Sequence, residues 1–192
     1  MIKTKGLNFK NGNQASFEFP DIKLGKDENL LIIGSSGIGK TTLLHLLAGL
    51  LECNSGSISI YGQDICKLTQ YQIDKFRGQN IGIVFQKPHF VNSLTVKENL
   101  QLAQYLGNKA DQNRIVDILS SLDILDKKNQ KPKKLSQGEK QRASIAMAIV
   151  NSPKLILADE PTSSLDDKNC ERVIKLLKKQ ASEFKAQLIV IT

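Results

Sequence analysis

GSSGIGKTT, residues 34–42, is the most informative segment of this 192-residue chain. It fits the pattern G-x-x-x-x-G-K-[ST]. The apolar run NLLIIG (29–34) before it and the leucine-rich TTLLHLLAGLL (41–51) after it predict a buried strand and a buried helix. Backbone N–H groups of such a loop, together with the helix N-terminus, form a site for phosphate groups. The alternative is a glycine-rich turn that matches the pattern by chance. Such a turn would not need a strand before it and a helix after it, so their presence favours nucleotide binding.

The side chains of this loop have separate predicted roles. Lys40 can reach the β- and γ-phosphates of a nucleotide, and the Thr41 hydroxyl is placed to bind Mg²⁺. Glycines in the loop allow its backbone to turn and to approach a phosphate closely. The predicted phosphate-binding residues are Gly34, Ser35, Ser36, Gly37, Ile38, Gly39, Lys40, Thr41 and Thr42.

LILADEP, residues 155–161, brings two adjacent acids to the carboxyl end of an apolar strand, where open α/β sheets bind their ligands. Because side chains alternate along a strand, Asp159 and Glu160 cannot share one role. One can bind a metal ion while the other faces the attacking water. Alone, such a pair can be a solvated turn; together with the phosphate loop it indicates a Walker B element with a catalytic glutamate.

LSQGEKQR, residues 135–142, opens a further predicted helix at 137–150. Ser136 is a good N-cap, and Glu139 follows three residues later, which is the spacing of a capping box. A well-capped helix is therefore one interpretation. A phosphate site is the other, because Gly138 leaves the backbone at this helix start accessible.

Predicted strands and helices alternate on both sides of a helical region. Residues 1–28 have the short alternating stretches and turn signals of β-hairpins, and the periodicity becomes helical from about Leu94 to Lys134. Helix 167–184 then leads to AQLIVIT (186–192), an apolar run typical of a strand covered on both faces. The pattern predicts an α/β protein with a largely parallel sheet.

Composition and charge narrow the class of protein further. No apolar run approaches the roughly 18 residues of a membrane span. Three widely spaced cysteines support neither a disulfide framework nor a zinc site. The net charge of +8 is densest in KKNQKPKK (127–134), which is interpreted either as a solvated loop or as a contact for lipid head groups or nucleic acid.

Together these motifs resemble those of the ATP-binding cassette (ABC) ATPases. LSQGEKQR is similar to the family signature LSGGQ, and IVFQ (83–86) is similar to the glutamine loop. SSLDD (163–167) resembles the loop after Walker B, so Asp166 joins the implied nucleotide-binding residues. The resemblance covers nearly the whole chain. Within the family, LADEPT and LHLLAGL are most similar to ATPases of lipoprotein-releasing and macrolide-export systems.

The resemblance implies a P-loop NTPase core with a largely parallel sheet, an N-terminal antiparallel β subdomain and an inserted α-helical subdomain. Residues 1–93 and 150–192 would form the ATP-binding core of a single ABC ATPase domain, and residues 94–149 the helical subdomain with the signature. The family carries a γ-phosphate histidine just after its last strand. This sequence ends at Thr192, so we expect the domain to stop before that histidine loop.

The resemblance also implies a mechanism that uses ATP and Mg²⁺. Gln86 would reach the metal ion and the attacking water, Asp159 would support the metal with Thr41, and Glu160 would act as the general base. Ser136 and Gly138 would cap the γ-phosphate of a nucleotide held by a second subunit.

Several positions differ from the family pattern or have more than one candidate. Gln137 and Glu139 replace the second-position glycine and the terminal glutamine of LSGGQ, and both are expected to be tolerated. Phe9 is the candidate to stack on adenine, whereas Phe17 and Phe19 are interpreted as core residues of the hairpin. The histidines of the chain, His45 and His89, do not occupy the position of the γ-phosphate histidine.

The implied partners are a second ATP-binding subunit, bound head to tail on ATP, and a membrane-spanning permease subunit. A homodimer is expected, and a heterodimer stays open. We expect no nucleic-acid partner and a cytoplasmic location, peripheral on the inner face of the cell membrane. Two alternatives stay open: a catalytically impaired ATP-gated switch, and a non-transport ABC protein that acts on the ribosome or DNA. A small-molecule kinase fits the phosphate loop but not the signature.

Overall fold

The computed structural model describes residues 1–10, 16–161 and 167–192. In these residues the chain forms nine strands and six α-helices. In chain order they are β1 (Ile2–Lys10), β2 (Ser16–Glu18), β3 (Lys23–Leu24), β4 (Leu30–Ile32), α1 (Lys40–Leu47), β5 (Ser55–Ile60), β6 (Gln63–Asp64), α2 (Gln70–Asn80), β7 (Ile81–Val84), α3 (Val96–Leu106), α4 (Gln112–Ser121), α5 (Gln137–Ile149), β8 (Leu155–Asp159), α6 (Asp167–Glu183) and β9 (Gln187–Ile191). Single helical turns lie at Ile65–Lys67, Leu125–Lys127 and Pro132–Lys134.

The N-terminal sheet is antiparallel, as the pattern of residues 1–28 predicts. Its strand order is β2-β1-β5-β6, and β3 also pairs with β1. Phe9 of β1 lies opposite Phe17 of β2, so the two side chains share one face of the sheet. This sheet brings β2 to the phosphate loop, where Gly39 approaches the Phe17 ring.

The second sheet is parallel, with the strand order β4-β9-β8-β7. Ile189 of β9 pairs with Leu30 on one side and with Leu157 on the other. Every residue of β8 and of β9 is buried. The strand predicted within residues 186–192 is found as β9 and is covered on both faces, and the largely parallel sheet is confirmed.

Alternation along the central strands separates two hydrophobic cores. Leu155 and Leu157 belong to the core that β8 shares with α1 and the antiparallel sheet. Ile156 and Ala158 belong to the core on the opposite face, which includes helices α3 to α6. The helix that follows the phosphate loop and the helix that begins at the signature therefore pack on opposite faces of one sheet.

Strand β7 and helix α2, which precede the glutamine loop, are not predicted by the sequence pattern. Strand β7 packs closely against α5, because a Cβ atom on Gly82 would lie 2.1 Å from the carbonyl oxygen of Ala148. The backbone that leads to Gln86 is thus fixed against the helix that carries the signature.

The remaining helices agree with the sequence pattern. The predicted helices 137–150 and 167–184 are found as α5 and α6, and the helical region contains α3 and α4. Its boundaries as a subdomain, residues 94–149, stay a prediction. Within the described ranges, no helix has both the length and the apolar character needed to cross a bilayer.

Candidate functional site

The phosphate loop connects β4 to α1 at the carboxyl edge of the parallel sheet. Gly37 and Gly39 have φ angles of 86° and 95°, in the left-handed region that favours glycine. A Cβ atom on Gly39 would lie 2.7 Å from Cδ1 of Phe17, so glycine is also needed here for the close approach of the ring. The loop conformation therefore depends on glycine at two of its predicted positions.

Lys40, the first residue of α1, is held inside the loop. Its side chain is 8% exposed, and Nζ donates to the carbonyl oxygens of Gly34 at 2.7 Å and Ser35 at 3.0 Å. These bonds satisfy a buried ammonium group, whose charge would otherwise be costly to desolvate. Lys40 is therefore held within the loop in which the sequence predicts phosphate binding.

Asp159 ends β8 beside the phosphate-loop helix. The Thr41 hydroxyl donates to Asp159 Oδ1 at 3.1 Å, and Asp159 is 5% exposed. Burial raises the pKa of this carboxyl above its ordinary value, while the Thr41 hydrogen bond and the charge of His45 oppose the shift. A buried carboxylate beside a hydroxyl is a suitable donor set for Mg²⁺, which binds few protein ligands and completes its shell with phosphate and water.

Glu160 follows the last residue of β8, and its backbone leaves the direction of the strand. Its φ of 40° is unusual for a residue other than glycine, and its N–H donates to the Ile191 carbonyl at 2.9 Å. Its carboxylate accepts a hydrogen bond from Gln86 Nε2 at 2.8 Å. Asp159 and Glu160 therefore have different hydrogen-bond partners, and the left-handed backbone conformation of Glu160 contributes to their separation.

A cavity of about 180 Å³ extends from the phosphate loop to Glu160. Its lining residues are Phe17, Ser36, Gly37, Gly39, Lys40, Thr41, Thr42 and Glu160. A larger cavity of about 270 Å³ lies beside Cys53 and Cys66, and none of the residues recorded as lining it belongs to the phosphate loop. The smaller cavity is the candidate nucleotide site, because its lining includes the residues that the sequence predicts to bind phosphate.

The signature segment forms the capping box that the sequence predicts. Ser136 N–H donates to Glu139 Oε2 at 2.8 Å, and Glu139 N–H donates to the Ser136 hydroxyl at 3.3 Å. The Ser136 hydrogen bonds, aided by Lys127 at 3.5 Å, lower the pKa of the Glu139 carboxyl. Ser136 and Gly138 are exposed. Neither is recorded among the described residues that line the phosphate cavity.

The two aromatic residues of the N-terminal sheet occupy different surroundings. Phe9 is partly buried and packs against the core around α1. Phe17, which the sequence pattern assigns to the hairpin core, lines the cavity next to Gly39. Its period-two spacing from Phe19 indicates a shared face but gives no information about what covers that face.

The segment after Walker B is described as far as Pro161. Gln141 of α5 is buried and donates from Nε2 to the Pro161 carbonyl at 3.1 Å, so the signature helix is tied to the strand end that carries the two acids. The capping-box pattern of residues 136–139 gives no signal for this role of Gln141. Asp166 lies outside the described residues.

The phosphate loop after β4, with two acids at the carboxyl end of β8 in the same parallel sheet, defines a P-loop nucleotide-binding domain. The model of the ABC transporter family matches residues 18–163. The chain belongs to this family and is an ATP-binding, ATP-hydrolysing subunit.

Individual relatives agree with this assignment. The chain is 33% identical to the lipoprotein-releasing system ATP-binding protein LolD of Bacteroides thetaiotaomicron, covering 100% of this chain and 89% of the relative. It is 34% identical to the bacitracin export ATP-binding protein BceA of Halalkalibacterium halodurans (98% and 76% covered). It is 37% identical to the macrolide export ATP-binding/permease protein MacB of Psychrobacter arcticus (93% and 28% covered). The predicted resemblance to lipoprotein-releasing and macrolide-export ATPases is confirmed.

Solved structures show the same fold. The dimeric post-hydrolysis structure of the ATP-binding cassette MJ0796, bound to ADP and Pi, is 30% identical to this chain. It aligns with a TM-score of 0.88 over 100% of this chain and 88% of that one. A second dimeric structure of MJ0796 also aligns with a TM-score of 0.88, at 31% identity.

Proposed function

We propose that this chain powers transport across a membrane by closing on Mg-ATP together with a second ATP-binding subunit and reopening after hydrolysis. The observation that carries the proposal is the separation of the signature from the chain's own phosphate loop. Ser136 and Gly138 are exposed at the start of α5, whereas Lys40 and Glu160 line the cavity. A helix start with accessible N–H groups binds phosphate. The signature is thus available to a nucleotide on another subunit.

The side chains that line the cavity, and Gln86 beside Glu160, suggest how each would act on ATP. Lys40 exchanges its bonds to Gly34 and Ser35 for bonds to phosphate oxygens. Glu160 accepts a proton from the attacking water as general base, and Gln86, already hydrogen-bonded to Glu160, orients that water.

The residues proposed to hold Mg²⁺ are Thr41, Asp159 and Gln86. When bound, the ion would neutralise the charge that develops on the phosphate oxygens. The hydrogen bond of 3.1 Å between the Thr41 hydroxyl and Asp159 supports this assignment, because it brings together two oxygen ligands of the kind that Mg²⁺ binds. A bound cation would stabilise the ionised form of Asp159 and oppose the effect of burial, which raises the pKa of this carboxyl.

The proposed partners are a second copy of the chain, arranged head to tail, and a membrane-spanning permease that holds the subunit at the inner face of the cell membrane. The names of the relatives, which refer to lipoprotein release and to export, support a transport role. A nucleic-acid partner is not proposed. Lys127, in the most basic segment, is paired with Asp126 at 3.0 Å and with Glu139 at 3.5 Å, so part of the positive charge is neutralised within the chain.

The variant Glu160→Gln tests the proposal, because it keeps the shape of the side chain but cannot accept the proton. We expect it to bind Mg-ATP, to hydrolyse it at least a hundredfold more slowly than the unaltered chain, and to form a dimer that persists in sedimentation velocity. Glu171→Gln, on the exposed face of α6, is the matched control and should hydrolyse ATP and dissociate normally. If Glu160→Gln binds ATP without a longer-lived dimer, the proposal fails.

A further inference from the structure

Both histidines of the chain contact one phenylalanine ring. The Phe85 ring lies 6.4 Å from the His45 ring, at an interplanar angle of 60°, and 4.7 Å from the His89 ring, at 86°. These distances and angles are those of edge-to-face aromatic pairs. His45 belongs to α1, whereas His89 belongs to the loop after β7, so the ring of Phe85 connects two separate elements.

Phe85 is the residue immediately before Gln86. Strand β7 ends at the fully buried Val84, and the Gln86 amide donates to Glu160 at 2.8 Å only two residues further on. The backbone between these points is short, so the position of the Phe85 ring constrains the direction in which Gln86 leaves the strand.

The loop that carries His89 is itself anchored. Asn99 of α3 is 1% exposed; its side chain accepts from Val91 N–H at 2.9 Å and donates to the Val91 carbonyl at 3.2 Å. His89 therefore contacts Phe85 from a loop that is fixed two residues later. His45 contacts the same ring from the helix of the phosphate loop.

We propose that His45 and His89 are positioning residues, whose rings hold Phe85 so that Gln86 stays directed at Glu160. The inference rests on the proposed function, since it assumes that Gln86 and Glu160 act on the attacking water. The histidines act here through ring shape and edge-to-face contact. A phenylalanine in place of either should therefore be competent.

The ring contacts can be tested without ATP. The chain has two histidines, so its imidazole NMR signals form two sets that His45→Ala and His89→Ala assign directly. We expect Phe85→Leu to shift both sets, because the ring current of Phe85 is removed. The matched control is Phe184→Leu, which removes a ring stacked on Arg114 at 4.5 Å and should shift neither.

The same spectra report on Gln86. Its side-chain amide signals, assigned by their loss in Gln86→Ala, should move in His89→Ala and return toward their original position in His89→Phe. His89 is exposed, so replacing it should leave the fold intact even if a His45 variant does not fold. Unchanged amide signals in His89→Ala would overturn the inference.

Kinetics with Mg-ATP then separate positioning from packing. We expect His45→Ala and His89→Ala each to lower kcat about threefold to tenfold, the effect of losing one aromatic contact, with KM for ATP changed less than about twofold. His45→Phe and His89→Phe should restore kcat, and Phe184→Leu should lower stability but not kcat. In a Gln86→Ala background, His89→Ala should have no further effect, since its influence passes through Gln86.

The outcomes distinguish the two proposals. If Gln86→Ala lowers kcat but both histidine-to-alanine variants keep the parental value, the inference is wrong and the proposed function stands. If Gln86→Ala itself keeps the parental kcat, the proposed role of Gln86 fails, and the inference fails with it.

Discussion

Replacing Gly82 with alanine should destabilise the protein by separating β7 from α5. The added Cβ atom would lie 2.1 Å from the Ala148 carbonyl oxygen, 2.9 Å from its carbonyl carbon and 3.1 Å from Cγ of Pro153. Two of these three atoms are backbone, so relief requires a shift of the helix and not of a flexible side chain. Overpacking of this kind costs roughly 1–3 kcal/mol, and the upper value is expected here.

Thermal and urea unfolding, followed by circular dichroism, measure this cost. A loss of about 3 kcal/mol corresponds to a fall in Tm of about 6–12 °C for a chain of this size. Gly138→Ala is the matched control for stability, because its Cβ atom would meet only Arg142 Nη1 at 3.7 Å, an ordinary contact. If Gly82→Ala loses less than about 1 kcal/mol, β7 and α5 do not approach each other as described.

Two further predictions concern the nucleotide site. Burial raises the pKa of Asp159, so the folded protein holds this proton to higher pH than the unfolded chain, and stability without ligand should fall as pH rises through the raised pKa. In urea unfolding at a series of pH values, Asp159→Asn should remove this fall in the free energy of unfolding. Asp117→Asn, on the exposed face of α4, should keep it. If the free energy of unfolding depends on pH equally in both variants, Asp159 is not the group responsible. The second prediction is that Phe17, and not Phe9, stacks on adenine, because Phe17 lines the cavity and Phe9 packs in the core. Phe17→Ala should weaken ATP affinity about tenfold in a fluorescence titration, whereas Phe9→Ala should mainly lower stability. A larger loss of ATP affinity in Phe9→Ala would show that Phe9 is the stacking residue.

The motifs could be predicted from the sequence because their chemistry restricts residue type. Positive φ angles at Gly37 and Gly39 favour glycine, and a buried ammonium in the loop needs the reach of Lys40. The central strand was equally predictable, since Leu188 to Ile191 are buried on both faces and leave no polar alternation. In these cases the physical cause lies within a few residues of its effect.

Other features depend on contacts between distant residues, which a local pattern does not contain. Helix α2 buries only Ile73, so it has almost no apolar stripe to detect. Strand β7 is four residues long and includes Gly82. Glycine is required there because α5 packs too closely for a side chain, and not because of any property of the strand. The backbone turn at Glu160 also depends on a distant residue, since the Glu160 N–H donates a hydrogen bond to the carbonyl of Ile191 in β9.

The position of β9 also determines the order in which the domain can assemble. Strands β4 and β8 each pair with β9 and not with each other, although β4 lies near the beginning of the chain. Joining partners so distant in sequence closes a long loop, which slows folding. During synthesis, β1, β5 and α1 can associate early, but among the described strands β4 pairs only with β9 and stays unpaired until β9 has emerged. A newly made chain should therefore acquire its affinity for nucleotide late, in one step, when the parallel sheet closes around β9.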